Sequence, residues 1–244
     1  MELARAGKRA DIRALGGKGA RLAEMTSAGF AVPAAFCVTA EALREIASTA
    51  AVREAIAAGD FHAIRAAIAS TELPDQLARE IVASYERLGR PRVAVRSSGV
   101  AEDSASQSFA GQHDTFLDVH GDDAVFAAVK SCWASLWSER VRSYGHHAEP
   151  AMAVVVQTMV DADCAGVLFT VDPVEGRERV VIEACWGLGE GLVSARVPSD
   201  TFVLDRQSLE IVDRQVRYKL TKCAASTPGS VTTVSVDPAK RDVP

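Results

Sequence analysis

The sequence predicts an α+β fold, with a helical N-terminal part followed by a strand-rich part. Two observations carry this expectation. Up to residue 90, apolar residues recur mostly at helical spacing between Gly and Pro punctuation, with one or two strand-length runs. From residue 92 onward, short β-branched runs dominate, interrupted by one long helical pattern. Such a mixture suggests sheets covered on one face.

The first helix is expected at 20–28, after the Gly16-Gly17 loop, with Leu22 and Met25 on one face. Gly29 suits the position after a helix end, and Pro33 blocks continuation. Residues 35–38 read as a strand. Thr39 is placed to cap a helix running through Leu43 and Ile46 toward Gly59. Two more helices are expected at 61–70 and 74–88, with Pro74 in a first turn and Gly89 past the end. Strands are expected at 92–96, 115–119, 152–160, 164–170, 179–184, 201–205 and 209–217. The interrupting helix spans 122–144. Its Val125, Val129, Trp133, Leu136 and Trp137 recur at spacings of three and four, so the tryptophans belong to a core face. Residues 204–209 join two alternating runs as a hairpin. Residues 223–244 are Ser/Thr/Pro-rich and weakly patterned, which reads as a loop or tail. The expected organisation is therefore 1–90, 91–222 and 223–244.

A chain of 244 residues can bury a sizeable core. Its 48% apolar and 24% charged content is that of a globular protein. With 27 Lys and Arg against 32 Asp and Glu, the net charge of −5 argues against nucleic acid as a partner. No apolar run is long enough for a membrane span, and the N-terminus has no apolar core of a secretory signal. Five scattered cysteines without a C-x-x-C pair suggest a reducing cytoplasm and no disulfides. None of the five histidines lies at zinc-site spacing.

The chemistry-bearing stretch runs from Val93 to Val119. A β-branched run delivers Arg96 at its end. A Ser/Gly/Ala/Asp/Gln-rich segment follows, then a return strand beginning at Thr115. Small residues let backbone N–H groups approach an anion, and hydroxyls add donors. By itself the pattern fits a surface hairpin loop as well as a phosphate clamp. Upstream, Leu15-Gly16-Gly17-Lys18-Gly19-Ala20 combines a flexible loop, a helix start and a lysine, which suits an anion. It is not a P-loop: no glycine stands five positions before Gly17 and no Ser or Thr follows Lys18. Gly187-Leu188-Gly189-Glu190-Gly191 lacks the third glycine of a dinucleotide fingerprint, because residue 192 is Leu. By itself it reads as a structural turn.

Five ordered blocks resemble the ATP-binding domain of the pyruvate/phosphoenolpyruvate dikinase family over roughly residues 12–220. They are Leu15 to Ala20 followed by Gly29-Phe30 and Val32-Pro33; Arg96-Ser97-Ser98 with Ala101-Glu102-Asp103; Ser108 to Gln112 with Thr115-Phe116-Leu117; Val156 to Val160; and Gly166 to Thr170, Asp172-Pro173, Glu183-Ala184 and Trp186 to Glu190. That family includes phosphoenolpyruvate synthase, pyruvate phosphate dikinase and rifampicin phosphotransferase.

The resemblance implies an ATP-grasp-like fold and ATP as ligand. It places Lys18 and Arg96 on the phosphates, Gly111 where backbone comes close to them, and Thr115 as a hydroxyl donor. Gln157 falls at the adenine hinge. Ser97, Ser98, Ser108, Met159 and Val160 are weaker candidates. It further implies transfer of phosphate from ATP, with AMP as product, to a histidine on another domain, and then to an acceptor such as pyruvate on a third. The family's magnesium ligands fall past the equivalent of Pro244, so catalysis by this segment alone is expected to be poor. A nucleotide-binding or regulatory module without turnover is the alternative reading.

Overall fold

The computed structural model describes residues 3, 11–100, 115–138, 151–226 and 230–244. Two compact units divide the chain, Met1–Met159 and Val160–Pro244. The sequence pattern changes near residue 91, yet the unit boundary falls at Met159, and strand pairing is the reason. Strand β4 (Met152–Thr158) pairs with β1 (Ala35–Val38) on one side and β2 (Val93–Gly99) on the other. It therefore ties the N-terminal helices and the following strands into one body.

The sheet of the first unit is antiparallel, in the order β1-β4-β2-β3, with β3 at Thr115–Val119. Strand β4 is central and buried on both faces, which explains its unbroken run of Met152, Ala153, Val154, Val155 and Val156. Met152, Val154 and Val156 face the larger core, together with Val93 and Val95. Five helices bury their apolar stripes there. They are α2 (Ala40–Ala47), α3 (Ala50–Ala58), α4 (Phe61–Ser70), α5 (Asp75–Arg87) and α6 (Asp122–Ala134). Leu43, Ile46, Val52, Ile64, Ile68, Ile81, Tyr85, Val129 and Trp133 supply the contacts. Each fully buried aliphatic or aromatic side chain there is worth about 1.5–3 kcal/mol. Ala153 and Val155 point to the opposite face, with Leu15, Ala23 and Cys37. Helix α1 (Ile12–Ser27) covers that face.

Helix α1 begins earlier than the pattern suggests. The side chain of Asp11 caps it by accepting the Arg13 N–H, and the helix runs through the double glycine instead of starting after it. Gly16 nonetheless leaves helical geometry, with φ 66° and ψ 175°. At the other end, Gly29 takes φ 85° just past the cap, as its position in the sequence suggests. Two helices, not one, lie between Thr39 and Gly59. Thr39 and Thr49 stand before them in extended conformation, without side-chain cap bonds. Helix α6 ends at Ala134 and tightens into a 3₁₀ turn, Ser135–Trp137.

The second unit is an antiparallel meander, β5 (Cys164–Phe169), β6 (Arg179–Trp186), β7 (Asp200–Asp205) and β8 (Ile211–Gln215). A four-residue helix, α7 (Glu190–Val193), follows β6. A separate hairpin joins β9 (Thr221–Ala225) to β10 (Val231–Ser235). That hairpin occupies the segment whose weak pattern reads as a tail. Its short polar strands carry little alternation, and only Cys223 among them is fully buried. Backbone pairing defines it, and that pairing leaves no mark in composition. No helix among the described residues is long and apolar enough to cross a membrane.

Candidate functional site

Cross-strand register gathers the candidate side chains. Arg96 pairs with Val155 on β4 and with Thr115 on β3, and Ala94 pairs with Gln157. Directly paired residues share a face, and so do alternate residues along a strand. Arg96, Ser98, Thr115 and Gln157 therefore lie on the same sheet face as Val155, the face that α1 covers. Lys18 is carried by α1 itself, two residues beyond the break at Gly16. Residues from three strands thus share one side of one sheet, and the helix that bears Lys18 covers that side.

Within this group Arg96 is half-buried, and its Nη1 lies 3.5 Å from Oε1 of Gln157, a long contact. The amide nitrogen of Gln157 donates to the Pro33 carbonyl at 3.3 Å. Gln157 is 8% exposed, so its orientation is held from both ends. Lys18 is half-buried and Thr115 exposed. The N–H groups of Thr158 and Met159 donate to the carbonyls of Ala34 and Arg92, both at 2.9 Å. Those two amides are committed to the chain itself. Met159 is half-buried and ends the first unit, whereas the exposed Val160 opens the second.

The two serines after Arg96 part company. Ser97 pairs with Val154 and points to the helix-packed face, fully buried. Ser98 points to the α1 face and is also fully buried. Its hydroxyl accepts the Gly19 N–H at 3.0 Å and donates to the Leu15 carbonyl at 2.8 Å. In an unbroken helix those two groups would bond to each other. The Ser98 hydroxyl is therefore inserted into a rung of the α1 ladder, and this insertion accounts for the kink. A side chain at position 16 would collide with the backbone oxygen and hydroxyl of Ser98, and the positive φ independently favours glycine there. Sequence reasoning singled out both segments but missed their bond. The Gly-Gly pair followed by a distant Ser-Ser pair is its only trace. Ser108 and Gly111 lie outside the described residues.

Cys37 lies beneath the same turn, with its Sγ 3.8 Å from the Leu15 carbonyl. Burial pushes its thiol up to about 12, so it stays neutral and acts as packing rather than as a nucleophile. Among the described residues no group of three His, Cys, Asp or Glu side chains could hold a metal ion.

The first unit is thus an α+β body that carries Arg96, Thr115 and Gln157 on one sheet face, covered by a helix that bears Lys18. The chain belongs to the family described as pyruvate phosphate dikinase, AMP/ATP-binding domain, which matches residues 12–244. Relatives extend the likeness. A prodigiosin synthesizing transferase of Serratia marcescens is 45% identical over 234 residues, covering 94% of this chain and 26% of that protein. The phosphoenolpyruvate synthase of Aeropyrum pernix is 41% identical over 232 residues, covering 84% of this chain and 28% of that protein. A probable phosphoenolpyruvate synthase of Methanocaldococcus jannaschii is 39% identical over 252 residues, covering 93% and 21%. The chain thus spans 21–28% of the length of these relatives. Family membership supports ATP as its ligand.

Proposed function

We propose that the first unit holds ATP on the sheet face covered by α1, as the nucleotide-binding part of a dikinase-type phosphotransferase with an ATP-grasp-like arrangement. The observation that carries this reading is the register placing Arg96, Thr115 and Gln157 on the face that α1, bearing Lys18, covers. Lys18 and Arg96 bind the phosphates. A guanidinium forks onto two oxygens, and an ammonium supplies a compact charge. Thr115 adds a hydroxyl, and Gly111, outside the described residues, keeps the role of close approach to the phosphates that the family resemblance gives it. Gln157 and the chain at Met159 meet the base, where a mostly apolar surface with one aimed amide suits a purine. Val160, Ser97 and Ser108 are left out of this contact set.

The phosphoryl group then passes to a histidine on another domain, as in a phosphoenolpyruvate synthase, and the protein works in the cytoplasm. Magnesium bound with ATP would neutralise charge developing on the phosphates. The residues of this chain grip and orient the nucleotide.

Calorimetric titration of the 244-residue chain with ATP and magnesium tests the binding site. Lys18→Ala and Arg96→Ala should each weaken affinity at least about tenfold, because a charged hydrogen bond is worth about 1.5–3 kcal/mol. Wild-type affinity in the double variant overturns the assignment. The transfer step is tested by adding a histidine-bearing domain of a phosphoenolpyruvate synthase and separating nucleotides by chromatography. AMP is the expected product, and ADP alone refutes a dikinase.

A further inference from the structure

The Ser98 hydroxyl occupies an unusual position. It is fully buried, and it replaces a backbone bond in a helix about eighty residues earlier in the chain. Three features coincide there. Leu15 and Gly19 would otherwise bond each other directly, closing the turn that contains Lys18. Gly16 adopts a conformation open to glycine, and it packs so tightly on Ser98 that no side chain fits. Ser98 also stands two positions beyond Arg96 on the same strand, so both side chains project to the α1 face.

We infer that Ser98 is a positioning residue for Lys18: its hydroxyl locks the broken turn of α1 at a set height above β2, fixing the lysine relative to Arg96. The inference rests on the ATP reading of this face. Ser98 does not touch the nucleotide, since its one proton goes to Leu15 and the Gly19 N–H fills an oxygen lone pair. It acts through the backbone on either side of Lys18. Without the hydroxyl, the Leu15 carbonyl and the Gly19 N–H either stay buried and unpaired or close the normal helical rung. The second outcome removes the kink and turns Lys18 about the helix axis, away from its set position. Cys37, whose sulfur also approaches the Leu15 carbonyl, cannot replace the bridge, because its distance of 3.8 Å marks a weak contact.

A double-mutant cycle on ATP affinity tests the inference, using Ser98→Ala with Lys18→Ala and separately with Arg96→Ala in the full chain. Ser98→Ala alone should weaken ATP binding about as much as Lys18→Ala, roughly tenfold or more. Lys18→Ala should then add almost nothing in the Ser98→Ala background, because the lysine is already misplaced. Arg96→Ala should still add its full effect there. A merely structural serine would give the opposite pattern, with Lys18→Ala and Ser98→Ala multiplying, and that result overturns the inference while leaving the ATP site standing. Ser98→Cys, close in size with a weak donor, should recover part of the lost affinity. It also carries the cycle if Ser98→Ala does not fold, and full multiplication with Lys18→Ala in that variant is equally fatal. Failure of the unmodified chain to bind ATP overturns the nucleotide site, and the inference with it.

Discussion

Lys219 and Asp200 form an ion pair sealed inside the second unit, each side chain 3% exposed or less. The ammonium lies 2.7 Å from both carboxylate oxygens and 2.9 Å from the Arg217 carbonyl, so all three of its protons are used. Asp200 also accepts the Arg217 N–H at 2.8 Å, which ties the approach to β9 against β7. Among the described residues each is the other's ion-pair partner at that depth.

Removing one partner should therefore be costly. Lys219→Met leaves a buried carboxylate, and such breaks cost about 3–5 kcal/mol. Urea unfolding followed by circular dichroism should register that loss. Asp200→Leu combined with Lys219→Met should recover part of it, because no isolated charge remains. A single variant within about 0.5 kcal/mol of wild type, the range of ordinary surface changes, would contradict the buried-pair account.

Asp172 gives the same unit a dependence on acid. Its carboxylate accepts the N–H groups of Glu175 and Val174 and the side chain of Arg179, and these bonds hold its pKa down at about 2, below the ordinary 3.8. A depressed carboxylate contributes stability that is complete above its unfolded value and lost as pH falls through its folded one. The window is therefore about pH 4 down to 2. Asp172→Asn should flatten the fall in the denaturation midpoint across that window and leave the shape above pH 5 unchanged. An unaltered slope between pH 4 and 2 would rule out this carboxylate as a source.

Gln157 should influence which base is accepted. Its amide is nearly buried and restrained by Pro33 and Arg96, so it is presented in one orientation. Gln157→Ala should lower ATP affinity about two- to tenfold, the range of one neutral hydrogen bond of about 0.5–1.5 kcal/mol. It should also narrow any preference for ATP over GTP, read by competition titration. An unchanged preference with reduced affinity would show that Gln157 serves Arg96 rather than the base.

Much of this architecture was legible because its signals are local. The run from Met152 to Val156 reads as a strand since every position is buried. Trp133 and its helical neighbours read as core because their spacing of three and four matches the period of α6. Lys18 and Arg96 are singled out by the family resemblance, since the local pattern around each fits an ordinary surface loop as well as an anion site. The hairpin of β9 and β10 was not legible, since paired polar strands in a partly exposed position carry no apolar alternation.

The sequence by itself determined most of the helices and strands, and which side chains carry charge, because propensity and periodicity act within a few residues. Only the tertiary structure decided that Arg96, Thr115 and Gln157 share a face, since a register slip of one residue would send any of them to the other side. It alone decided that Ser97 turns toward the helical core while Ser98 enters α1. The physical reason is the same in both cases. A hydrogen bond joining residues 15 and 19 to residue 98 depends on where folding brings two distant backbones, and nothing within either segment records the other.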